Sequence, residues 1–495
     1  KYFPAEAPRE NISTTSTRLE LGGDAKGSIR LGELGAEEQF ESKQHKVYRF
    51  KAPQRVMITR NHQKHMLLRT NLERLTHSTK NMPDQACQNL ADQLFAKVEA
   101  EFDWKIPENF HHRCFLEAIE KMQARGHNMD DLKDVGSWND RYVNLVKSFL
   151  KAQQKPCLGK DPHSADKAGQ GISAWDKTLN ILMAPWTRLL EQVLVNQSNG
   201  RVKILSQKSD LEVMSIIEKD TTEGERFVDN DWTQFDSNQN NLTREILRRA
   251  LIKIGVPHFL LEAFMDQLRN RRICCEVLSL IVNDKKDSGA PHTLIDNCLF
   301  NLAICLDLMV DFLYLYIKGD DSFARGPKVR FDHERMSRYL KNCGYKFKPN
   351  QHTSGSFVSF LVNQQGVALD LPRMCAKVTS RAYTNVEDFL NYQEAISAQL
   401  KNIDMQAGAN MCKVNALFYD NTTRSETKFD ALLSFLIRFG RKEISFNELS
   451  SSEAIFYKTD APANLYHTQN KIKVKKSLGK KLTSVATKSL STLFD

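Results

Sequence analysis

The sequence predicts an α+β protein built from several subdomains. Its 495 residues suggest about three such units, at roughly 150 residues per domain. Leu90, Leu94 and Val98 follow helical spacing, and the pattern after Pro372 is again mainly helical. Between these regions, two short apolar runs flank a Gly-Asp-Asp sequence at residues 319–321, which indicates a β-hairpin.

The composition is that of a globular protein with a basic tail. Apolar residues make up 41% of the chain and charged residues 26%, which excludes collagen-like, coiled-coil and wholly disordered proteins. The net charge is +10, but seven lysines lie within residues 471–488, where there is no acid, so the rest carries only +3. A nucleic-acid groove needs only local basic charge, and this balance leaves such binding open.

Cysteine usage argues against a secreted protein and against a zinc site. The ten cysteines form no C-x-x-C pair, so we expect reduced thiols in a cytosolic compartment. No signal peptide opens the chain, which starts at Lys1 and is expected to be a processed piece. The longest apolar run, residues 298–317, carries Asp307 and Asp311, which does not suit a membrane span.

The N-terminal third alternates between helical and irregular patterns. Residues 1–45 show little periodicity, which predicts a mobile extension. Residues 82–150 are mostly helical in pattern, residues 151–171 form a polar loop with lysines, and residues 172–195 are helical again. The later elements are predicted as a strand ending at Asp231, a helix over 241–254, a strand over 274–282, a turn at 288–291, a buried helix over 293–313 and hairpin strands at 314–317 and 322–325.

The Gly-Asp-Asp turn carries the strongest chemical signal. Gly319 suits a hairpin turn, and Asp320 and Asp321 repel each other, so a cation is their natural partner. Asp231, at the end of a neighbouring strand, can meet them there. Asp231 and Asp320 would then hold two divalent ions about 3.5–4 Å apart. The alternatives are a solvated hairpin and a helix cap that uses Asp236.

A third polar segment lies between these two. Residues 288–291 read Ser-Gly-Ala-Pro and lead into a predicted helix. Thr293 and Asn297 are four residues apart and therefore share one face of that helix. Ordinary capping by Ser288 or His292 is the alternative.

Together, these segments resemble the palm motifs of viral RNA-dependent RNA polymerases of the alphavirus-like supergroup, closest in appearance to the hepatitis E virus type. The motif D-x-x-x-x-D matches Asp231 and Asp236, and the motif G-D-D matches residues 319–321. The motif S-G-x-x-x-T-x-x-x-N matches Ser288, Gly289, Thr293 and Asn297. Residues 167–175 look like the family's fingers segment, and the resemblance is specific over residues 147–365.

The resemblance implies a right-hand polymerase with fingers, a palm whose antiparallel sheet is flanked by helices, and a mainly helical thumb. The implied boundaries are an extension at 1–45, an N-terminal region with fingers at 46–225, palm at 226–250 and 285–369, a fingers insertion at 251–284, a thumb at 370–465 and a basic tail at 466–495.

The resemblance also implies the reaction and its machinery. The chain would replicate a positive-strand viral RNA genome by transferring nucleotides from NTPs to an RNA 3′-OH, with release of pyrophosphate. Asp231 and Asp320 would bind two Mg²⁺ or Mn²⁺ ions, and Asp321 would be a weaker ligand. Asp236 and Asn297 suit recognition of the ribose 2′-OH. The remaining implied substrate-binding residues are Ser288, Gly289 and Thr293.

Further implications concern partners and place. The partners would be the RNA template and product strand, NTPs and other viral replication proteins. The location would be the host cytoplasm, at membrane-associated replication complexes.

Basic residues near the motifs are further candidates. Lys151, Lys155 and Lys167 would bind the incoming triphosphate or the template, unless they lie on a solvated loop. Lys348, preferred over Lys346, fits the place of a general acid that protonates the leaving pyrophosphate.

The predicted thumb and tail carry basic residues as well. The thumb residues, spaced by four on one predicted helix, would hold RNA backbone or form a solvated face; they are Arg373, Lys377 and Arg381. In the tail, apolar residues from Val474 to Leu493 are spaced so that they would line one face of a helix, and the lysines lie mostly on the other faces. Such a basic amphipathic helix would suit an anionic membrane surface. A thumb helix or contact with RNA phosphates are the alternatives for the tail.

Two other functions stay open from the sequence. A reverse transcriptase usually has an aromatic residue at the position of Asp236. It also usually has a tyrosine at the first position of the hairpin motif that carries the metal-binding acids. A non-catalytic RNA-binding replication protein would need no acids at the positions of Asp231 and Asp320.

Overall fold

The computed structural model describes most of the chain between residues 16 and 457. The described ranges are 16–20, 26–30, 42–50, 57–60, 64–75, 79–106, 109–124, 145–150, 153–156, 170–175, 177–221, 224–275, 278–286, 288–352, 354–364, 366–400 and 426–457. No helix within these ranges is long and apolar enough to cross a membrane. Every cysteine side chain described there is a free thiol, as the sequence predicted.

Helices and strands are numbered in chain order. The helices are α1 Lys64–Leu75, α2 Asp84–Glu99, α3 Phe110–Ala124, α4 Lys177–Asn196, α5 Asp210–Lys219, α6 Asn241–Lys253, α7 His258–Arg269, α8 Thr293–Leu308, α9 His333–Cys343, α10 Leu371–Ser380, α11 Val386–Leu400 and α12 Glu426–Gly440. The strands are β1 Ser16–Glu20, β2 Lys26–Arg30, β3 Ser42–Arg49, β4 Met57–Arg60, β5 Leu145–Leu150, β6 Gln153–Pro156, β7 Gly171–Ala174, β8 Val202–Ile204, β9 Arg226–Trp232, β10 Asn270–Cys274, β11 Leu278–Asn283, β12 Met309–Val310, β13 Tyr314–Lys318, β14 Asp321–Gly326, β15 Arg330–Phe331, β16 Phe347–His352, β17 Ser354–Phe357, β18 Phe360–Asn363, β19 Gly366–Leu369 and β20 Ser450–Tyr457.

A five-stranded sheet lies at the centre, with the order β16-β9-β14-β13-β8. Its neighbours are antiparallel except β13 and β8, which run parallel, so the sheet is mixed rather than the antiparallel sheet expected. Successive strand residues point to opposite faces. Val228 and Leu315 therefore pack into one apolar core, while Phe227 and Tyr316 pack into a second. The sheet is buried on both faces, which makes it a rigid support for its strand ends.

The two cores use different helices. Residues of α2, α4, α6, α7 and α8 build the first core. The second contains residues of the three-stranded sheet β17-β18-β19 and of α10, α11 and α12. The helical pattern expected after Pro372 is confirmed for these three helices.

A six-stranded sheet gathers distant parts of the chain, in the order β1-β2-β11-β10-β5-β7. β1 and β2 fall within residues 1–45, where the sequence predicted a mobile, irregular extension, and β3 begins there and pairs with β20. The expectation of irregular structure is wrong for these strands. Their partners are far away in sequence, so they leave little local periodicity to read.

Other boundaries also differ from the prediction. β7 precedes α4 in the stretch 172–195, and β5 ends the stretch 82–150, although both stretches were expected to be helical. The strand expected over 274–282 is a hairpin of β10 and β11. The helix expected over 293–313 ends at Leu308, because β12 pairs with β15. Short apolar runs suit helix and strand equally, and tertiary pairing decides between them.

Candidate active site

The ends of β9, β13 and β14 bring three acids to one place. Asp231 is next to last in β9, and Asp321 opens β14. β14 runs antiparallel to β9, and continuing their register places Asp321 beside Asp231. On the other side, β16 pairs Lys348 with Asp231. Residues opposite each other in a sheet share a face, so Asp231 is flanked by one acid and one ammonium group.

The hairpin turn carries the third acid. Lys318 pairs with Asp321 across the hairpin, which leaves Gly319 and Asp320 as a two-residue turn. Gly319 has φ +68°, a value that glycine adopts without strain at the first turn position. The predicted turn is thus confirmed, except that Asp321 already belongs to the strand.

Mutual repulsion marks this acid cluster. Burial, followed by the carboxylates of Asp320 and Asp231, raises the pKa of Asp321 to about 6, while the positive charge of Arg373 acts in the opposite direction. The Lys348 Nζ atom lies 3.8 Å from Asp231 Oδ2, but both side chains are more than half exposed, so this ion pair contributes little. A divalent cation would relieve the repulsion between these carboxylates.

The acids suit a metal ion because carboxylates are its preferred ligands, although they do not form a ready-made coordination site. No group of three His, Cys, Asp or Glu side chains in the described ranges stands together in a way that could hold an ion. Asp231 and Asp320 are exposed at the end of the sheet. Mg²⁺ needs only one or two carboxylates, with water and substrate phosphates completing its shell. The acid cluster therefore suits an ion that arrives with a phosphate substrate.

A polar cluster around the segment that follows β9 joins three predicted residues. Asp236 lies in a short 3₁₀ helix, Phe235–Asn238, that follows β9. Its Oδ2 atom accepts a hydrogen bond from Ser288 Oγ, and its Oδ1 atom accepts one from Asn297 Nδ2, both at 3.3 Å. The two motifs that resemblance linked to ribose recognition are thus in direct contact.

The loop before α8 has little freedom. Thr293 Oγ1 accepts a hydrogen bond from the Gly289 N–H at 3.1 Å and donates one to the Ala290 carbonyl at 2.8 Å. The N–H of Ser173 in β7 donates to the Ser288 carbonyl at 2.6 Å. Gly289 has φ +113°, and a Cβ atom there would lie 2.1 Å from the Ser173 carbonyl oxygen. The described contacts of Gly289 and Thr293 therefore shape the loop that presents Ser288.

Arg74 is a residue of this site that the sequence analysis missed. It lies on α1 and lines a cavity together with Asp236, Lys286 and Ser288. Burial lowers the pKa of Arg74, and the Asp236 carboxylate acts in the opposite direction. No motif surrounds Arg74 in the sequence, and only the tertiary fold brings it here.

Of the basic residues predicted to bind the triphosphate or the template, the structure describes only one. Lys155 lies on β6, opposite Ile58 of β4. Lys151 and Lys167 lie outside the described residues, as does the tail stripe from Val474 to Leu493.

The three predicted thumb cations lie in different surroundings. Arg373, on α10, donates to the Val358 carbonyl at 3.0 Å and is close enough to Asp321 to affect its pKa. Lys377 lies on the same helix, and burial followed by the charge of Arg373 lowers its pKa.

Arg381 lies one residue beyond the end of α10, in extended backbone, so the expectation of three cations on one helix is wrong there. Its guanidinium donates to Asp388 Oδ1 at 2.8 Å and lies 4.3 Å from the centre of the Tyr392 ring. Through these contacts Arg381 connects the segment after α10 to α11.

Comparison with known proteins gives a consistent set of relatives. A family model described as RNA dependent RNA polymerase matches residues 58–417. The chain is 29% identical over 462 residues to a protein of Helicoverpa armigera stunt virus named methyltransferase/helicase/RNA-directed RNA polymerase, a match that covers 92% of the chain and 26% of the relative. It is 29% identical over 333 residues to the protein of the same name from Nudaurelia capensis beta virus, covering 67% of the chain and 17% of the relative.

A third relative is the non-structural polyprotein of avian hepatitis E virus. The identity is 30% over 273 residues, which covers 54% of the chain and 17% of the relative. The chain therefore spans about a quarter or less of the length of each of these three curated relatives.

Proposed function

Because the chain belongs to the family of RNA-dependent RNA polymerases, we propose that it extends an RNA strand on an RNA template during replication of a positive-strand viral genome. The reaction is attack of the RNA 3′-OH on the α-phosphate of an NTP, with release of pyrophosphate. One observation carries the proposal: Asp231 lies beside Asp321 at the end of β9, and the 3₁₀ helix that follows β9 carries Asp236 with its hydrogen bonds to Ser288 and Asn297. Consecutive segments of the chain thus offer negative charge for metal ions with their phosphates and hydrogen bonds for a ribose.

The acids would hold the metal ions. Asp231 and Asp320 are the proposed ligands, with Asp321 as a weaker one. Two bound Mg²⁺ or Mn²⁺ ions would lower the pKa of the attacking hydroxyl and neutralise the leaving phosphates. The buried sheet would keep the carboxylates in place, so that catalysis rests on positioning and electrostatics.

The neighbouring residues would orient the nucleotide. Asp236 would accept a hydrogen bond from the ribose 2′-OH, and Asn297 and Ser288 would donate. Gly289 and Thr293 would hold the loop that bears Ser288.

Basic residues would act on the phosphates. Lys348 would give a proton to the leaving pyrophosphate. The residues proposed for the triphosphate or template are Lys151, Lys155 and Lys167. We propose that Arg373, Lys377 and Arg381 bind the RNA backbone, Arg381 from its place against Asp388 and Tyr392.

The same proposal assigns parts of a right hand. The six-stranded sheet would belong to the fingers, with β1 and β2 contributed by the predicted extension at 1–45. Four strands of the five-stranded sheet would belong to the palm at 226–250 and 285–369, and β8 would join them from the predicted region 46–225. The helices α10, α11 and α12 would belong to the thumb at 370–465. The partners would be RNA, NTPs and other replication proteins, in the host cytoplasm. The basic tail at 466–495 would contact the surface of a membrane-associated replication complex.

The test is extension of an RNA primer on an RNA template by the purified chain, with labelled NTPs or dNTPs and with Mg²⁺ or Mn²⁺. Template-dependent incorporation of NTPs is expected. Preference for dNTPs would instead identify a reverse transcriptase. Binding of RNA without incorporation of either nucleotide would identify a non-catalytic RNA-binding protein.

A further inference from the structure

Gln239 is a buried residue that contacts the polar cluster of Asp236, Ser288 and Asn297 but is not itself one of the predicted site residues. It directly follows the 3₁₀ helix that bears Asp236, and it is 0% exposed. Its Nε2 atom donates a hydrogen bond to Asn297 Oδ1 at 2.9 Å. A chain of hydrogen bonds thus runs from Gln239 through Asn297 to Asp236.

The donor and acceptor roles in this series of hydrogen bonds follow from the chemistry of Asp236, at its end. A carboxylate only accepts hydrogen bonds, so the Asn297 amide must turn Nδ2 towards Asp236, as the 3.3 Å contact shows. Its Oδ1 atom then faces the other way and needs a donor. Gln239 supplies that donor. The reversed amide would place an oxygen of Asn297 against an oxygen of Asp236.

The burial of Gln239 comes at an energetic cost that an apolar residue would avoid. Among the described residues, its Oε1 atom is buried without a hydrogen-bond partner. A buried oxygen without a hydrogen-bond partner is unfavourable. The side chain therefore offers one useful group, the Nε2 donor, and it is aimed at Asn297.

We propose that Gln239 is a positioning residue for sugar selectivity, which fixes the Asn297 amide with its NH₂ group towards the nucleotide ribose. This inference rests on the proposed polymerase function. With the amide fixed, Asn297 donates to the 2′-OH while Asp236 accepts from it. Without Gln239 the Asn297 Oδ1 atom loses its donor and Asp236 alone holds the amide, so the amide is less firmly fixed and a ribose is favoured less over a deoxyribose.

Two substitutions of similar size separate this role from packing. Gln239→Met keeps the length and removes the donor. Gln239→Glu keeps the shape, and its carboxyl group donates only when it is protonated. Burial raises the pKa of a carboxyl group, so this variant should donate at low pH and lose that ability as pH rises. Gln267→Met is the matched control, because Gln267 is also a buried glutamine with an unpartnered Oε1 but lies on α7.

The measurement is kcat/KM for ATP and for dATP on one primer–template, from pH 6 to pH 9. Gln239→Met should narrow the ATP-to-dATP ratio roughly three- to tenfold at every pH, as expected for one neutral hydrogen bond. Gln239→Glu should approach the wild-type ratio at pH 6 and lose it towards pH 9. Wild type and Gln267→Met should keep a ratio that does not change with pH.

Each other outcome overturns a defined claim. Active Gln239 variants that keep the wild-type ratio at every pH would overturn the positioning role alone. A wild-type protein that incorporates neither nucleotide would overturn the polymerase proposal and this inference with it. If Gln239→Met does not fold, the pH response of Gln239→Glu decides the question by itself.

Discussion

The indole Nε1 of Trp232 donates a hydrogen bond of 3.0 Å to Oδ1 of Asn301. The same amide donates from Nδ2 to the carbonyl oxygen of Gly319 at 3.2 Å, and Asn301 is 0% exposed. Trp232 follows Asp231 in the chain, and Gly319 precedes Asp320. One buried side chain on α8 therefore ties together the two segments that carry the acids.

Replacing Asn301 should disturb the acid cluster. Asn301→Leu leaves the Trp232 indole and the Gly319 carbonyl buried without partners, at about 1–3 kcal/mol each. We expect a lower melting temperature and a higher Mg²⁺ concentration for half-maximal nucleotide incorporation. Asn342→Leu, at an exposed position on α9, is the control. An Asn301→Leu protein with wild-type stability and Mg²⁺ response would show that the tie has no role.

The loop before α8 should not tolerate a side chain at Gly289. Gly289→Ala combines an unfavourable positive φ with a collision between its Cβ and the Ser173 carbonyl. Gly255→Ala is the matched control, because Gly255 has φ +84° but open space around its missing Cβ. Gly255→Ala should lose about 1–3 kcal/mol from strain alone.

Gly289→Ala should lose more stability than this control, together with most nucleotide incorporation. Thermal unfolding and primer extension measure the two effects. Equal losses of stability in both variants would mean that the close approach of β7 to the loop does not constrain it.

His292 should make the fold sensitive to acid. Burial, with a smaller effect of Lys286, lowers the pKa of His292 to about 3, and its Nδ1 lies 2.5 Å from Thr187 Oγ1. The unfolded chain takes up a proton at this histidine near pH 6.5, whereas the folded chain stays neutral until much lower pH. Stability is therefore lost as pH falls below about 6.5, by about 2 kcal/mol at pH 5.

Urea unfolding at pH 7.5 and pH 5 tests whether the free energy of unfolding falls as the pH is lowered. His292→Asn removes the titrating group, so its free energy of unfolding should fall less between the two pH values than that of the wild type. The same fall in both proteins would assign the acid sensitivity to other groups.

Local patterns predicted the segments that bear chemistry, because each has a distinct sequence of polar residues. Asp231, Asp320 and Asp321 do lie near one another, and Asp236 does contact Ser288 and Asn297. Their catalytic and binding roles stay predictions. These segments combine a strand end, a tight turn and a helix start, all of which leave local signals.

The residues that support the site could not be predicted from local sequence patterns. Asn301 sits in an apolar run and Gln239 in a polar one, and neither position differs from its neighbours in pattern. Arg74 is one of several charged residues on α1. Their roles depend on contacts between parts of the chain that are far apart in sequence, and so does the pairing of β7 with β5.

The most direct test of the metal-dependent polymerase is single-nucleotide incorporation by Asp320→Asn. The substitution removes a charged ligand with almost no change of volume, so the fold should survive while incorporation with Mg²⁺ falls by orders of magnitude. Asp311→Asn, which changes an exposed acid paired with Arg330, is the control and should retain the wild-type rate. An Asp320→Asn protein that incorporates nucleotides at the wild-type rate, with the same Mg²⁺ dependence, would contradict the assignment of the metal site.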